Sequence, residues 1–284
     1  METEICPVHL SEDGEDCLFF ILPPQEDPGD DIFGTEGVDV INFASNFDDR
    51  IFVFGGDDTV FGFNGRDAIV GGAGDDELNG NEGDDFVTGN EGNDVVNGNL
   101  DNDLLFGNQG EDTLSGGQGN DTLWGGKDAD QLFGNKADDL LFGDIGSDLV
   151  SGDQGADTLY GAAPSSSLPG LGEIDVLVGG IDTDTFVLAD AGVSFYDNGD
   201  PTDSGLDDYA IVFDFNPLEG DKLQLRFDVD YILTSTDPAV FGFSGLALWT
   251  DSDGTGSLTQ ADELVAAFPD TAPEAVIGAA LILV

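Results

Sequence analysis

The stretch GNQGEDTLSGGQGNDTLWGG, residues 107 to 126, states one nine-residue phrase twice: Gly-x-x-Gly-x-Asp-x-Leu-x begins at Gly107 and again at Gly116. Counting outward, every ninth residue from Gly62 through Gly179 is glycine, giving fourteen units in unbroken phase. The sixth place of these units reads Asp67, Asp76, Asp85, Asp94, Asp103, Asp112, Asp121, Asp130, Asp139, Asp148, Asp157, then Ser166, Asp175 and Asp184. The eighth place is aliphatic from Ile69 to Leu177 and becomes Phe186 in the last unit. Two weaker units precede them, with Asp49 and Ile51, then Asp58 and Val60. The stretch GTEGVDVIN, 34 to 42, keeps the phase except for one extra residue, Phe43. A period this strict predicts a solenoid built from one repeated unit.

The unit reads physically. Three residues such as Thr113-Leu114-Ser115 form a short strand whose middle side chain points inward and whose neighbours point out. The glycine-rich remainder must turn the chain, and its second place holds residues that tolerate positive φ: Gly72, Asn81, Asn90, Asn99, Asn108, Gly117, Gly126, Asn135, Asp144 and Asp153. Two strands and two turns make one coil of 18 residues, and stacked coils give two parallel sheets around an aliphatic core. Stacking also brings each aspartate within about one strand spacing, ~4.8 Å, of the aspartate two units later. Bare carboxylates at that spacing repel. Together with turn carbonyls they make an all-oxygen cage suited to a hard divalent cation, Ca²⁺ above all; Mg²⁺ prefers tight octahedral geometry, and Zn²⁺ lacks its histidine or cysteine ligands here.

The phrase GGQGNDTLW and its neighbours resemble the nonapeptide Gly-Gly-x-Gly-x-Asp-x-U-x of the RTX family, the haemolysin-type calcium-binding repeats, where U is a large aliphatic residue. The resemblance covers roughly residues 34 to 187. It implies an all-β parallel β-roll with multiple Ca²⁺ ions held between same-side turns by Asp carboxylates and carbonyls. Carried onto this chain, the metal ligands are Asp49, Asp58 and the sixth-place aspartates from Asp67 to Asp184 named above. One unit departs from the pattern: GAAPSSSLP, 161 to 169, has Ser166 for Asp and prolines at 164 and 169. With Asp148 and Asp184 as the same-side neighbours of Ser166, the ion sites beside this turn are expected to be missing or weak and the loop to bulge outward.

Alternate units face opposite sides, so the outward residues sort by sheet. Units starting at 62, 80, 98, 116, 134, 152 and 170 show Val70, Thr88, Phe106, Trp124, Phe142, Tyr160 and Val178 at the ninth place, and Ala68, Phe86, Leu104, Thr122, Leu140, Thr158 and Val176 at the seventh. The other sheet is more polar, with Asn79, Asn97, Ser115 and Ser151 outward. An apolar face this long predicts a cover, either the C-terminal region folding back or a partner, a second copy or a surface glycan.

Composition agrees with an ion-dependent fold. The chain carries 60 acidic residues against six basic ones, a net charge of -54, yet 39% of it is hydrophobic with 21 phenylalanines. Such charge repels nucleic acid and anionic membranes, and no apolar run is long enough to insert in a bilayer. The start, METEICPVHLSEDGED, lacks the basic and apolar regions of a cleavable signal. Cys6 and Cys17 are the only cysteines; a disulfide and two buried thiols fit equally well, and with His9 they form no complete metal or nucleophile set.

Three regions follow: an acidic N-terminal segment or cap over 1–33, the roll over 34–188, and a β-rich C-terminal cap over 189–284, where DYAIVFDFNPLEGDKLQLRF alternates like strands. In the family, such a C-terminal region holds an uncleaved signal for type I export, and AVIGAALILV resembles part of one. DSDGTGSLTQAD, 251 to 262, matches an EF-hand loop in outline through Asp251, Asp253 and Asp262, but LALW before it reads as strand rather than helix. No HExxH, no Gly-x-Ser-x-Gly and a lone histidine leave no catalytic constellation, so no enzyme is expected. The expectation is a secreted calcium-binding β-roll whose folding follows ion binding after export. The alternative is a calcium-dependent adhesive, matrix or surface-layer component that uses the aromatic face.

Overall fold

The protein is described by a computed structural model that covers residues 29, 31–45, 47–162, 170, 172–190, 193–194, 196, 209–225, 229, 231–236, 238–241, 243–250, 257, 264–269 and 281–283. Among these, the architecture is nearly all β. The strands lie in an eleven-stranded and a twelve-stranded sheet plus one small hairpin, and the sole helix is the short Pro238–Phe241. Each nine-residue unit sends one strand into one sheet and the next unit sends one into the other. Thr113–Gln118 pairs in parallel with Val95–Leu100 and Gln131–Lys136, Leu114 facing Val96 and Leu132. Thr122–Lys127 pairs likewise with Leu104–Gln109 and Leu140–Ile145 in the opposite sheet. This is a parallel β-roll.

The strands are six residues long rather than three. They run on through the next unit's glycine to its third place, and pairing resumes at Gly117↔Asn135 and Gln118↔Lys136. What permits this is the second place. All ten residues named above for it have positive φ, from 72° at Asp153 to 121° at Gly72, so the chain bends there without leaving the ladder. The fourth place also has positive φ, at Gly65, Gly74, Gly83 and Gly92, and even at Ala137 (75°), completing a turn with two left-handed residues.

The core is a double file of eighth-place side chains. Ile69, Leu78, Val87, Val96, Leu105, Leu114, Leu123, Leu132, Leu141, Val150, Leu159 and Leu177 are all 0% exposed. Burying each is worth about 1.5–3 kcal/mol, and each touches the coils above and below, so the core grows with every coil.

The unit 161–169 corrects the sequence-based sorting. Coils before it repeat every 18 residues, but Leu149 pairs with Val176 and Leu159 with Phe186, a separation of 27. Nine extra residues therefore lie between the strands Thr158–Ala162 and Ile174–Ile181. Proline cannot donate to a ladder, so the segment with Pro164 and Pro169 is poorly suited to be a strand. Nine inserted residues preserve the glycine phase but reverse which sheet each later unit joins. Val176 and Val178 thus belong to the opposite, more polar sheet, and the aromatic file continues from Tyr160 to Val187 instead. The expected outward bulge concerns residues 163–169, outside the described set.

Past the repeats both sheets continue. Tyr209–Phe213 adds in parallel to Ile174–Ile181, and Lys222–Leu225 to Thr185–Val187. Leu264–Pro269 follows in parallel, then Gly245–Thr250 and Tyr231–Ser235 close that sheet antiparallel. These C-terminal strands extend the stack; they do not fold back over the aromatic face. Phe106, Trp124, Phe142 and Tyr160 stay half-buried and stack on one another.

Candidate metal centre

Each sixth-place aspartate sits where a turn enters its strand, and the strand pairing dictates its neighbour. The two edges of the roll carry one file each. Asp49, Asp67, Asp85, Asp103, Asp121, Asp139, Asp157 and Asp184 form one, linked because the backbone N–H of each donates to Oδ1 of the next at 2.7–3.0 Å. Asp58, Asp76, Asp94, Asp112, Asp130, Asp148 and Asp175 form the other at 2.7–2.9 Å. The step from Asp148 to Asp175 spans the inserted residues without a break in the hydrogen-bonded file. Asp148 and Asp184 are not neighbours; they stand on opposite edges.

The expected ligands Asp49 through Asp184 are thus all brought into these files. Asp251, Asp253 and Asp262 lie outside the described residues; the strands before and after that loop, Gly245–Thr250 and Leu264–Pro269, pair antiparallel, with no helix adjoining. Two aspartates were missed. Asp39 heads one file by donating its N–H to Asp58 Oδ1 (2.7 Å), and its place in GTEGVDVIN was visible in the sequence. Asp221 ends the other by accepting the N–H of Asp184 (3.1 Å), foreshadowed only by the fragment Gly220-Asp221-Lys222-Leu223.

A second ladder runs beside each file at the fifth place in the reverse direction. Asn93 N–H donates to Asp75 Oδ1 and Glu111 N–H to Asn93 Oδ1, while Asn102, Asn120 and Asp138 continue the same pattern on the other edge. These groups are exposed and hold the turns in register. The sixth-place carboxylates differ sharply, being only 1–3% exposed from Asp58 to Asp157.

The second carboxylate oxygen defines the chemistry. In Asp58, Asp67, Asp76, Asp85, Asp94, Asp103, Asp112, Asp121, Asp130, Asp139, Asp148 and Asp157, Oδ2 is buried with no hydrogen-bond donor. From Asp67 to Asp157 it points into the space left by the missing side chain of the unit's first glycine. A Cβ added to Gly107 would strike Asp112 Oδ2 and stand 2.7 Å from the carbonyl oxygen of Gly125, one coil on. Two acceptors therefore converge with no proton between them, which only a cation or an added proton can reconcile.

Burial is the chief cause that pushes these carboxyls upward, with the like charges of file neighbours adding to it. Asp67 and Asp85 rise to about 7, Asp103, Asp130 and Asp139 to about 8, and Asp148, pressed also by Asp175, to about 9. The donor set is all oxygen, which fits Ca²⁺. Among the described residues no three His, Cys, Asp or Glu side chains converge on one point. An ion would draw carboxylates from file neighbours and complete its shell with carbonyls and water.

Fold and edge geometry define a class, the parallel β-roll with oxygen-lined turns. The sequence profile of the RTX calcium-binding nonapeptide repeat matches residues 43–78, 61–96, 70–105, 106–141 and 133–163. The repeats over 43–163 are thus RTX calcium-binding nonapeptide repeats. No curated protein matches the chain.

Proposed function

We propose that the protein is a secreted calcium-binding β-roll whose folding is coupled to ion binding after export, with Asp49, Asp58 and the sixth-place aspartates of 67–157 and Asp184 as ligands. The observation that carries this is the row of twelve buried, donorless Oδ2 atoms in a chain with six basic residues. Among the described residues no basic side chain pairs with these Oδ2 atoms; Arg50 pairs with Asp31, both partly exposed, near the start of the roll.

At cytosolic calcium the files repel and the chain stays loose enough for a type I channel. Outside, sites with affinities on the order of 10⁻⁴–10⁻³ M fill and the coils stack. In this reading residues 1–33 are an acidic N-terminal segment, 34–188 the roll and 189–284 a cap with the export signal. The role is structural rather than catalytic.

The adhesive alternative gains nothing from the aromatic file. Phe106, Trp124 and Phe142 stack within 5–7° at centroid distances of 4.8–5.1 Å, so their faces are spent on each other and only edges are offered to a sugar ring.

The test is a calcium titration of stripped protein followed by far-UV circular dichroism and gel filtration. A cooperative gain of β signal with compaction is expected. A chain already folded without calcium and indifferent to it overturns the proposal, and growth to larger size with calcium would bring the adhesive reading back.

A further inference from the structure

Asp175 follows Asp148 in the file that begins with Asp58, yet its Oδ2 is not orphaned. Beneath Asp148, the file neighbour before it, the cradle is of the ordinary kind: a Cβ on Gly143 would meet Asp148 Oδ2 and the carbonyl oxygen of Gly161 at 2.6 Å. Beneath Asp175, a Cβ on Gly161 would instead meet Asp175 Oδ2 at 2.5 Å and the hydroxyl of Tyr196. Tyr196 is 0% exposed, its ring packs against Gly170, and its hydroxyl donates to Asp175 Oδ2. A donor has replaced an acceptor. A carboxylate facing a carbonyl needs a cation between them; a carboxylate facing a hydroxyl is already satisfied.

The other edge ends in the same manner. Asp221, last in its file, accepts the N–H of Asp184 on Oδ1 and the N–H of Asn216 on Oδ2 at 2.7 Å. Asp214 meanwhile accepts both N–H groups of Gly179 and Gly180 at 3.0 Å. Both files are therefore closed at the C-terminal end by protein donors, and both closures come from the segment after the repeats.

We infer that Tyr196 terminates the ion ladder: its hydroxyl gives Asp175 the donor that the repeat aspartates obtain only from a cation, so Asp175 is a structural member of the file rather than a calcium ligand, and the end of the roll it closes is ordered without calcium. This rests on the calcium reading of the repeats. Tyr196 is a positioning residue that sets where ion dependence stops.

Hydrogen exchange read by mass spectrometry on the full chain, calcium-stripped and calcium-loaded, tests it. In stripped wild-type protein, amides of 174–181 and 209–213 should remain protected at least tenfold over those of 77–127, and calcium should protect the latter. Tyr196→Phe should cost the C-terminal amides about 10- to 100-fold of that stripped-state protection, the loss expected for a hydrogen bond to a buried charge, and leave the loaded repeats unchanged. Native mass spectrometry adds a count: Asp175→Asn should bind as many ions as wild type, whereas Asp121→Asn should bind fewer. If stripped 174–213 exchanges as fast as the repeats while calcium still protects the repeats, this inference fails and the calcium reading stands. Loss of an ion in Asp175→Asn, or an unaltered Tyr196→Phe, overturns it as well. Repeats indifferent to calcium would sink both.

Discussion

Asp121 shows how one residue serves fold and ion with separate atoms. Its Oδ1 accepts the N–H of Asp103, its Oδ2 is left without a donor, and its own N–H donates to Asp139. Asparagine keeps the Oδ1 acceptor and removes the charge; alanine removes both. Asp121→Asn should therefore raise the calcium concentration needed for folding several-fold and, with an ion fewer bound, lower the calcium-saturated melting temperature modestly. Asp121→Ala should lower that temperature further, because a buried N–H loses its partner at a cost of about 1–3 kcal/mol. Calcium titrations and saturated melts of the pair separate the two roles. Gly107 makes the complementary case. Its substitution by alanine would drive a methyl group onto Asp112 and to 2.7 Å from the Gly125 carbonyl, which cannot withdraw without breaking the ladder. A loss of about 1–3 kcal/mol is expected in a denaturant titration at saturating calcium, together with weaker calcium binding.

At the scale of the strand, inward and outward faces contribute unequally. Leu123 is wholly buried between Leu105 and Leu141. Leu123→Ala leaves a cavity that the coils above and below cannot close without shifting their own ladders, so about 2–5 kcal/mol is expected from denaturant unfolding in calcium. Next to it in sequence, Trp124 lies between Phe106 and Phe142 with both ring faces in contact. Trp124→Ala removes two stacked pairs worth roughly 0.5–1.5 kcal/mol each beyond area burial. The file then acts as a brace along one sheet, and the variant should bind the same number of ions. A drop in ion number would mean that the face shapes the turns and does more than stiffen the sheet.

Over the whole molecule the raised carboxyls link calcium, protons and folding. Their pKa values in the ion-free roll, about 6 to 9, lie above those of the unfolded chain, so the folded state binds more protons. That contribution is complete below the unfolded carboxylate range and is lost as pH rises through about 6 to 9. Acid should accordingly substitute for calcium: stripped protein should show more β signal at pH 5.5 than at pH 8, still above its sequence pI of about 4.1. Calcium and protons compete for the same oxygens, so calcium binding at pH 7 should release protons and its affinity should fall as the solution is acidified. Circular dichroism across pH without calcium checks the first statement, and calorimetry in buffers of different ionisation enthalpy checks the second. Equal signal at both pH values would show that the aspartates are not neutralised on folding.

The sequence by itself determined the coil. Glycine, asparagine and aspartate at the second place declare where φ turns positive, the eighth place declares the core, and a sixth-place aspartate repeated without drift declares a shared edge; each is a local demand that recurs. The strands proved longer than the three residues read for them because pairing survives the positive-φ bend, and only the neighbouring coil's backbone shows that. The tertiary structure alone decided three further matters. It showed that nine residues near Ser166 are inserted between two strands, because an insertion equal to the period leaves the phase intact while reversing the sheet to which Val176 and Val178 belong. It brought Asp221 into file with Asp184 across 37 residues. And it set the Tyr196 hydroxyl against Asp175, 21 residues away. Such contacts have no period and no fixed separation along the chain, so they become visible only when the coils are stacked.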